Sequence, residues 1–346
     1  MASPGGIVIV RQNPPGMPYP SVILSQSVTL RGEGGSQPVL TGLSIMALSG
    51  SGRVVVSNLA IETLGPVGLV LDGCLGRVHL DRVVAGANGL LGLDVEFRNS
   101  TSVTMTDVGP LNTILIEDSR VAACNLIADV SASINVSNQP TVRLVRSTLS
   151  LASSTVSGVS RVIFAPCGGG VVPTAGISLD QSELTVDRAT TVSGGSVTAF
   201  VRGFPAPVTC GTAPPFVGPS GTVRGPTATG SEPGLTFSQE SVFPSTVAYD
   251  TNGDLQVSVA AEGNAGGFLF VSPLANASTA IMPFVTWLDL SATISIGFIP
   301  ASAQGDCLLT LPAPSGLPLG LPLTWQWLFG TPSGIVLGEP VTSLVR

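Results

Sequence analysis

The sequence predicts an all-β protein in which a solenoid of short parallel strands is followed by a small antiparallel β module. Three observations indicate this fold class: little charge combined with abundant Gly and Pro, a strand-like repeat with a period near 24 residues, and a hairpin signal late in the chain. A length of 346 residues suggests about two domains.

The composition excludes several other classes of protein. Asp, Glu, Lys and Arg make up 10% of the chain, against roughly 25% in an ordinary soluble domain. The 42 Gly and 28 Pro residues are the two poorest helix formers, so a helical fold is not expected. The net charge is −7, and all 14 basic residues are arginines without clusters, which argues against nucleic-acid binding.

The repeat is clearest in three segments that begin at residues 53, 77 and 102. Each has apolar residues in its second and fourth positions, which places those side chains on one face of a strand. Stacking the repeats at about 4.8 Å makes Val54, Val78 and Val103 direct neighbours in one hydrophobic column. Asn58 and Asn99 fit the bends between strands. An antiparallel sandwich with fortuitous spacing is the alternative.

The beginning of the chain adds a resemblance to this pattern. Gly6–Arg11, Tyr19 and Ser27–Gly32 resemble the first coil of right-handed parallel β-helix proteins from the surfaces and secretions of planctomycete-type bacteria. The resemblance covers about residues 5–200 and implies a right-handed parallel β-helix over residues 1–202. Pro322–Leu328 and Leu337–Val341 are similar to a small C-terminal β module of such secreted proteins, which implies packing or surface attachment.

The remainder of the chain divides at a change of composition. Residues 203–234 are rich in Pro, Gly and Thr and predict a linker or strap without a central strand. Residues 235–346 predict a sandwich-like module. Asn252 and Gly253 favour a hairpin turn over half of a calcium loop. Trp325 and Trp327 share a strand face, where they would stack on sugars if exposed and form core if buried.

The five cysteines and the ends of the chain carry little chemistry. The cysteines lack metal-ligand spacing, so no metal site is predicted. Cys167 and Cys210 flank a Gly/Pro-rich region and are the best candidates for a disulfide; in the alternative, all five are small buried hydrophobic residues. No run of 18 apolar residues predicts a membrane span, and residues 1–6 do not have the pattern of a signal peptide.

The strongest candidate site lies on one predicted strand. If Val78 and Leu80 point inward, Arg77, His79 and Asp81 point outward together, and Arg82 follows them. Such a cluster could bind a carboxylated sugar; in the alternative it is a solvated polar face with local ion pairs. No cofactor is predicted, except that calcium would suit the acids if turns brought them together, namely Asp72, Asp94, Glu96 and Asp107.

Two functions follow from this reading. The first is a non-catalytic β-solenoid, extracellular or on the cell surface, with a structural, adhesive or glycan-binding role. The second is a polysaccharide lyase or glycoside hydrolase that acts on an acidic polysaccharide through Arg77, His79 and Asp81. The absence of Lys, the single His and the sparse carboxylates favour the first. The expected partners are a polysaccharide or cell-surface glycan and, because solenoid ends expose unpaired strands, a second copy of the chain.

Overall fold

The computed structural model describes residues 4–346 apart from 15–16, 34–36, 63–66, 86–92, 130–138, 164–166, 168–171, 201–205, 240–243, 261–265, 282–283, 313–315 and 332–333. Within these residues the chain is all-β, and no helix is long and apolar enough to cross a membrane. The prediction of an all-β protein with a large parallel region and a smaller antiparallel region is therefore confirmed.

The first part of the chain supplies most of the strands. They are β1 (Gly6–Val10), β2 (Val22–Leu24), β3 (Val28–Gly32), β4 (Val39–Leu40), β5 (Leu43–Met46), β6 (Arg53–Ile61), β7 (Leu69–Asp72), β8 (Arg77–Ala85), β9 (Leu93–Arg98), β10 (Val103–Thr106), β11 (Leu111–Glu117), β12 (Arg120–Cys124), β13 (Ile127–Asp129), β14 (Val142–Val145), β15 (Thr148–Ala152), β16 (Thr155–Ser157), β17 (Arg161–Ile163), β18 (Ile177–Val186), β19 (Thr191–Ser193), β20 (Ser196–Ala199), β21 (Val208–Thr212), β22 (Phe216–Arg224) and β23 (Leu235–Ser238).

The remaining strands form what we call the C-terminal module. They are β24 (Ser245–Tyr249), β25 (Leu255–Ala260), β26 (Gly266–Ile281), β27 (Phe284–Leu288), β28 (Ile294–Pro300), β29 (Asp306–Leu311), β30 (Pro322–Thr331), β31 (Gly334–Leu337) and β32 (Val341–Leu344). Their pairings are antiparallel, in one sheet of three strands and one of six. The Asn252-Gly253 turn joins β24 to β25, so it makes a hairpin.

The large sheet contains 20 strands, and its pairs are parallel. Its longest series of paired strands, which we call the long ladder, runs β1–β3–β6–β8–β10–β12–β15–β18–β22–β23. Val54, Val78 and Val103 are paired neighbours in it. Together with Val28, Val121, Leu149, Leu184 and Val223 they form a buried row along the hydrophobic core.

Bends in the backbone recur at matching positions of neighbouring strands. Non-glycine residues rarely adopt a positive φ, and Asn and Asp tolerate it best. One row of such residues follows the long ladder: Asn58, Arg82, Asp107, Asn125 and Ser153. A second row follows the neighbouring series of strands: Ala47, Gly73, Asn99, Asp118, Arg146 and Gln181. The two asparagines expected at bends, Asn58 and Asn99, are among them.

A stack of serines lies beside the second row of bends. The hydroxyl of Ser119 accepts a hydrogen bond from the backbone N–H of Ser100 (2.9 Å) and donates one to the carbonyl of Glu117 (2.7 Å). Ser147 repeats this arrangement on Ser119, and Ser182 repeats it on Ser147. The stack supplies hydrogen-bond partners to buried backbone N–H and C=O groups where the chain turns. Leaving such groups without a partner would reduce the stability of the fold.

The Pro- and Gly-rich residues 203–234 contain a central strand, so the expectation of a linker without one is wrong for 216–224. Strand β22 pairs with β18 on one side and β23 on the other, which carries the parallel sheet past residue 202 to Ser238. Gly218 and Pro219 fall at an irregularity in the register, where a residue need not donate to the ladder. Proline is tolerated in the strand for this reason.

Candidate functional site

Strand β8, the fourth strand of the long ladder, carries the predicted site residues. It pairs with β6 and β10, which places Val78 and Leu80 in the core. Arg77, His79 and Asp81 point to the opposite side, as the alternation predicts. We call the side chains of β6, β8, β10 and β12 on this side the outer row.

The β8 members of the outer row do not face solvent, because the C-terminal module covers them. The exposed fractions are 1% for Arg77, 0% for His79 and 1% for Asp81. Strands β26 and β32 contact β8, and Leu274 and Leu344 pack against Val55. A polysaccharide cannot reach these three side chains while the module is in place.

Arg77 is a buried cation that faces an aromatic ring. Its guanidinium carbon lies 4.4 Å from the centroid of the Trp287 ring, and that of Arg120 lies 5.7 Å from the same ring. None of the three guanidinium nitrogens of Arg77 finds an acceptor within the described residues. Burial, with the like charge of Arg120, lowers the pKa of Arg77 to about 9. Arg120 differs, because it forms an ion pair with Glu339 at 3.1 Å.

His79 is held as a neutral imidazole. Its Nδ1 lies 2.9 Å from the Thr104 hydroxyl oxygen, and its Nε2 has no partner among the described residues. Burial lowers the pKa of His79 to about 4, against the opposing effects of the Asp81 charge and the hydrogen bond at Thr104. An imidazole sealed from solvent in this way has no access to a substrate proton.

Asp81 joins the long ladder to the C-terminal module. Its carboxylate accepts from Nε of Arg82 at 2.9 Å and lies 3.5 Å from Nη2 of Arg346. Arg346 also binds Asp107 at 3.0 Å and stacks over Tyr249 at 4.5 Å. Asp81 is therefore held by two arginines beneath the module, in an arrangement that links the two parts of the chain.

The other acids expected as calcium ligands are engaged separately. Asp72 accepts a hydrogen bond from the amide of Asn99 (3.2 Å), and Asp94 accepts from the hydroxyl of Thr113 (2.6 Å). Glu96 pairs with Arg98 at 3.0 Å. In the part of the chain that the structure describes, no group of three or more His, Cys, Asp and Glu is arranged to hold a metal ion.

Charged side chains that do face solvent lie on the strand series next to the long ladder. Arg146 contacts Asp118 (2.6 Å) and Glu117 (3.0 Å), and its hydrogen bonds lower the pKa of Asp118. Arg143 is exposed on the same series. We call this surface the charged face, with Glu96, Arg98, Glu117, Asp118, Arg143 and Arg146 as its members. Sequence reasoning did not single it out, because ion pairs between successive strands become visible only with the register.

The tryptophans of the C-terminal module are buried, so they form core and offer no stacking surface. Trp325 donates from Nε1 to the Ser343 hydroxyl (2.9 Å), and Trp327 stacks on Phe329 at 6.1 Å. Phe268 and Phe298 are half-exposed on β26 and β28 and meet edge to face at 5.4 Å. These are aromatic side chains that an external molecule can reach.

Cys167 and Cys210, the pair named from the sequence, form a disulfide bond. Cys210 lies on β21, which pairs with β20 in a separate three-stranded sheet. The bond therefore fastens this small sheet to the segment that follows β17. The three other cysteines are free and buried, namely Cys74, Cys124 and Cys307.

In comparisons with protein-family models, curated proteins and solved structures, no match to this chain was found.

Proposed function

We propose that this chain is a non-catalytic β-solenoid with a structural or adhesive role that binds glycans. The observation that carries the proposal is the burial of the cluster richest in potential chemistry. Arg77, His79 and Asp81 lie beneath the C-terminal module, while the charged face stays open to solvent. The enzymatic alternative needs a carboxylate pair and an acid or base in contact with substrate. The burial of Arg77, His79 and Asp81 beneath the module disfavours this alternative.

A right-handed parallel β-helix is the architecture we propose for the large sheet. Most strands that pair in parallel are two or three apart in sequence, and the bends and serines repeat in rows at equivalent positions. A chain that coils once per repeat produces such rows. Parallel crossover connections are right-handed in about 98% of cases, which agrees with the resemblance of the first coil. The nine steps of the long ladder, at about 4.8 Å each, correspond to a length of roughly 43 Å.

A location outside the cell or on its surface is also part of the proposal. The support is the Cys167–Cys210 disulfide, because disulfides persist in oxidising compartments and are rare in the cytosol. An extended solenoid that is poor in charge and carries a packed module suits a scaffold at such a surface. Planctomycete-type bacteria are the source that the sequence resemblance suggests.

The charged face supplies the proposed glycan contacts. Arg146 donates hydrogen bonds to Asp118 and Glu117, and Arg143 is exposed on the same strand series. Guanidinium groups donate to the hydroxyl and carboxylate groups of a sugar chain, and carboxylates accept from its hydroxyls. These groups lie on three successive strands, β9, β11 and β14, which are about 4.8 Å apart. A linear polysaccharide could therefore contact several strands at once.

A binding and turnover experiment tests the proposal. The purified chain is applied to immobilised acidic and neutral polysaccharides, and release of reducing sugar and unsaturated uronate is followed in parallel. We expect binding that Arg143→Ala weakens, binding unaffected by Arg11→Ala at an exposed arginine far along the sheet, and no turnover. Turnover that disappears in His79→Ala or Asp81→Ala would establish the enzymatic alternative, and binding that is indifferent to Arg143→Ala would remove the charged face from the proposal.

A further inference from the structure

Strand β1 is an edge strand without the usual protection against pairing with another strand. It pairs with β3 on one side, and no strand among the described residues pairs with its other side. Proteins usually protect such edges with charges, prolines or bulges, yet Gly6–Val10 contains none of these. Ile7 and Ile9 project outward and are exposed. The unpaired N–H and C=O groups on the outer side of this strand are open to pairing with another strand.

The hydrophobic core ends openly beside this edge. An apolar cavity of about 480 Å³ lies at the same end of the sheet. Its walls include Val8 and Val10 of β1 together with Tyr19, Val22 and Leu24. Apolar side chains that line an open cavity lack packing partners on that side and lose the dispersion contacts of a filled core, which favours an apolar occupant. The occupant must therefore bring a strand and apolar side chains together.

We propose that this end forms a symmetric dimer in which β1 pairs antiparallel with β1 of a second copy. The order Ile7-Val8-Ile9 reads the same in both directions. Antiparallel pairing centred on Val8 sets Ile7 opposite Ile9 of the second copy and Val8 opposite its own equivalent. The two open cores then face each other and cover both cavities.

Charge and symmetry favour a second copy as the occupant. The strand carries no charge, and the Arg11 that follows it is paired with Glu33 at 3.4 Å. In the proposed register Arg11 lies opposite Gly5 of the second copy, so no unpaired like charges meet across the junction. A two-fold contact uses the same surface on both copies and closes on itself, which limits the assembly to a dimer.

The first test measures the molecular mass by light scattering over a range of protein concentrations. We expect a dimer, and we expect Ile9→Lys to raise its dissociation constant at least about tenfold, because each copy then places a charge opposite Ile7. Ile335→Lys is the matched control, since Ile9 and Ile335 are both 57% exposed and Ile335 lies in the C-terminal module. A monomer at every concentration, or a dimer that Ile9→Lys and Ile335→Lys affect equally, overturns the proposal.

The second test fixes the orientation. Paired residues of antiparallel strands have Cα atoms about 4.5–5.5 Å apart, within the range that a disulfide spans. Val8→Cys should therefore cross-link two copies under mild oxidation, whereas Ile335→Cys should not. Because Cys74, Cys124 and Cys307 are buried, the introduced thiol dominates the reaction. A dimer that Val8→Cys fails to cross-link would mean that another edge or a head-to-tail contact holds the copies together.

Discussion

The guanidinium of Arg77 lies 4.4 Å from the centre of the Trp287 ring, so an arginine of the parallel sheet meets an aromatic side chain of the C-terminal module in the buried contact between them. Cation–π attraction stabilises such a pair by about 0.5–2 kcal/mol. Removing a cation from water without an anionic partner costs several kcal/mol. Burial of Arg77 therefore reduces the stability of the folded chain more than Trp287 restores it.

This balance predicts that Arg77→Met stabilises the protein. Methionine has a similar length and adapts its shape to the space it fills, and it removes the unpaired charge. We expect the free energy of unfolding to rise by about 1–3 kcal/mol, measured by chemical denaturation at neutral pH. A decrease would show that the charge of Arg77 is compensated.

Arg120→Met provides the matched control, because Arg120 faces the same ring but has the carboxylate of Glu339 as a partner. Its replacement leaves that carboxylate partly buried and unpaired. We expect this variant to be no more stable than the original chain. If both substitutions stabilised the protein equally, the cause would be relief of crowding around Trp287. The lack of an anionic partner for Arg77 would then not explain the change in the free energy of unfolding.

The sequence is sufficient to predict much of the parallel sheet, because the physical cause is local. The alternation within each repeat places Val54, Val78 and Val103 in one row, and asparagines mark the bends at Asn58 and Asn99. Both features follow from a period of two in strands and from the tolerance of Asn for positive φ.

The covering of the outer row could not be predicted in the same way, since it depends on residues about 200 positions away. Thr106, for example, donates its hydroxyl to the carbonyl of Thr342 at 2.9 Å. One signal was present: Val55, Thr104 and Ala122 flank the predicted site with small or apolar side chains. A surface that stays in water would carry longer charged residues there, so these residues indicate a covered face.

The neutral state of His79 predicts a loss of stability in acid. Burial lowers its pKa from 6.5 to about 4, so between these values the unfolded chain takes up a proton that the folded chain does not. The free energy of unfolding therefore decreases as the pH falls through this window, by roughly 3 kcal/mol at its lower end. The contribution of His79 is complete above pH 6.5.

His79→Gln should abolish this part of the pH dependence. Asp81, whose charge acts on His79, remains in the variant, so the comparison isolates the contribution of the imidazole. Unfolding by urea is measured for both proteins at intervals from neutral to acidic pH. If the two curves stay parallel, His79 is not the group responsible.

The serine stack predicts a specific cost for losing one hydroxyl. In Ser147→Ala the backbone N–H of Ser119 loses its acceptor, which now lies 3.0 Å away, and the N–H remains buried. We expect a loss of about 1–3 kcal/mol in the free energy of unfolding. Ser51→Ala, at an exposed turn, should change it by less than about 0.5 kcal/mol. Equal effects at both positions would mean that the stack contributes nothing specific.

The Cys167–Cys210 disulfide predicts a stability that depends on reductant. It closes a segment with a sequence separation of 43 residues, and the loss of chain entropy in the unfolded state gives a stabilisation of roughly 4 kcal/mol. Dithiothreitol should therefore lower the thermal midpoint of the chain. The double variant Cys167→Ser, Cys210→Ser should start at that lower midpoint and not respond to reductant, because the remaining thiols are free and buried. A response that persists in the double variant would place the sensitive bond elsewhere in the chain.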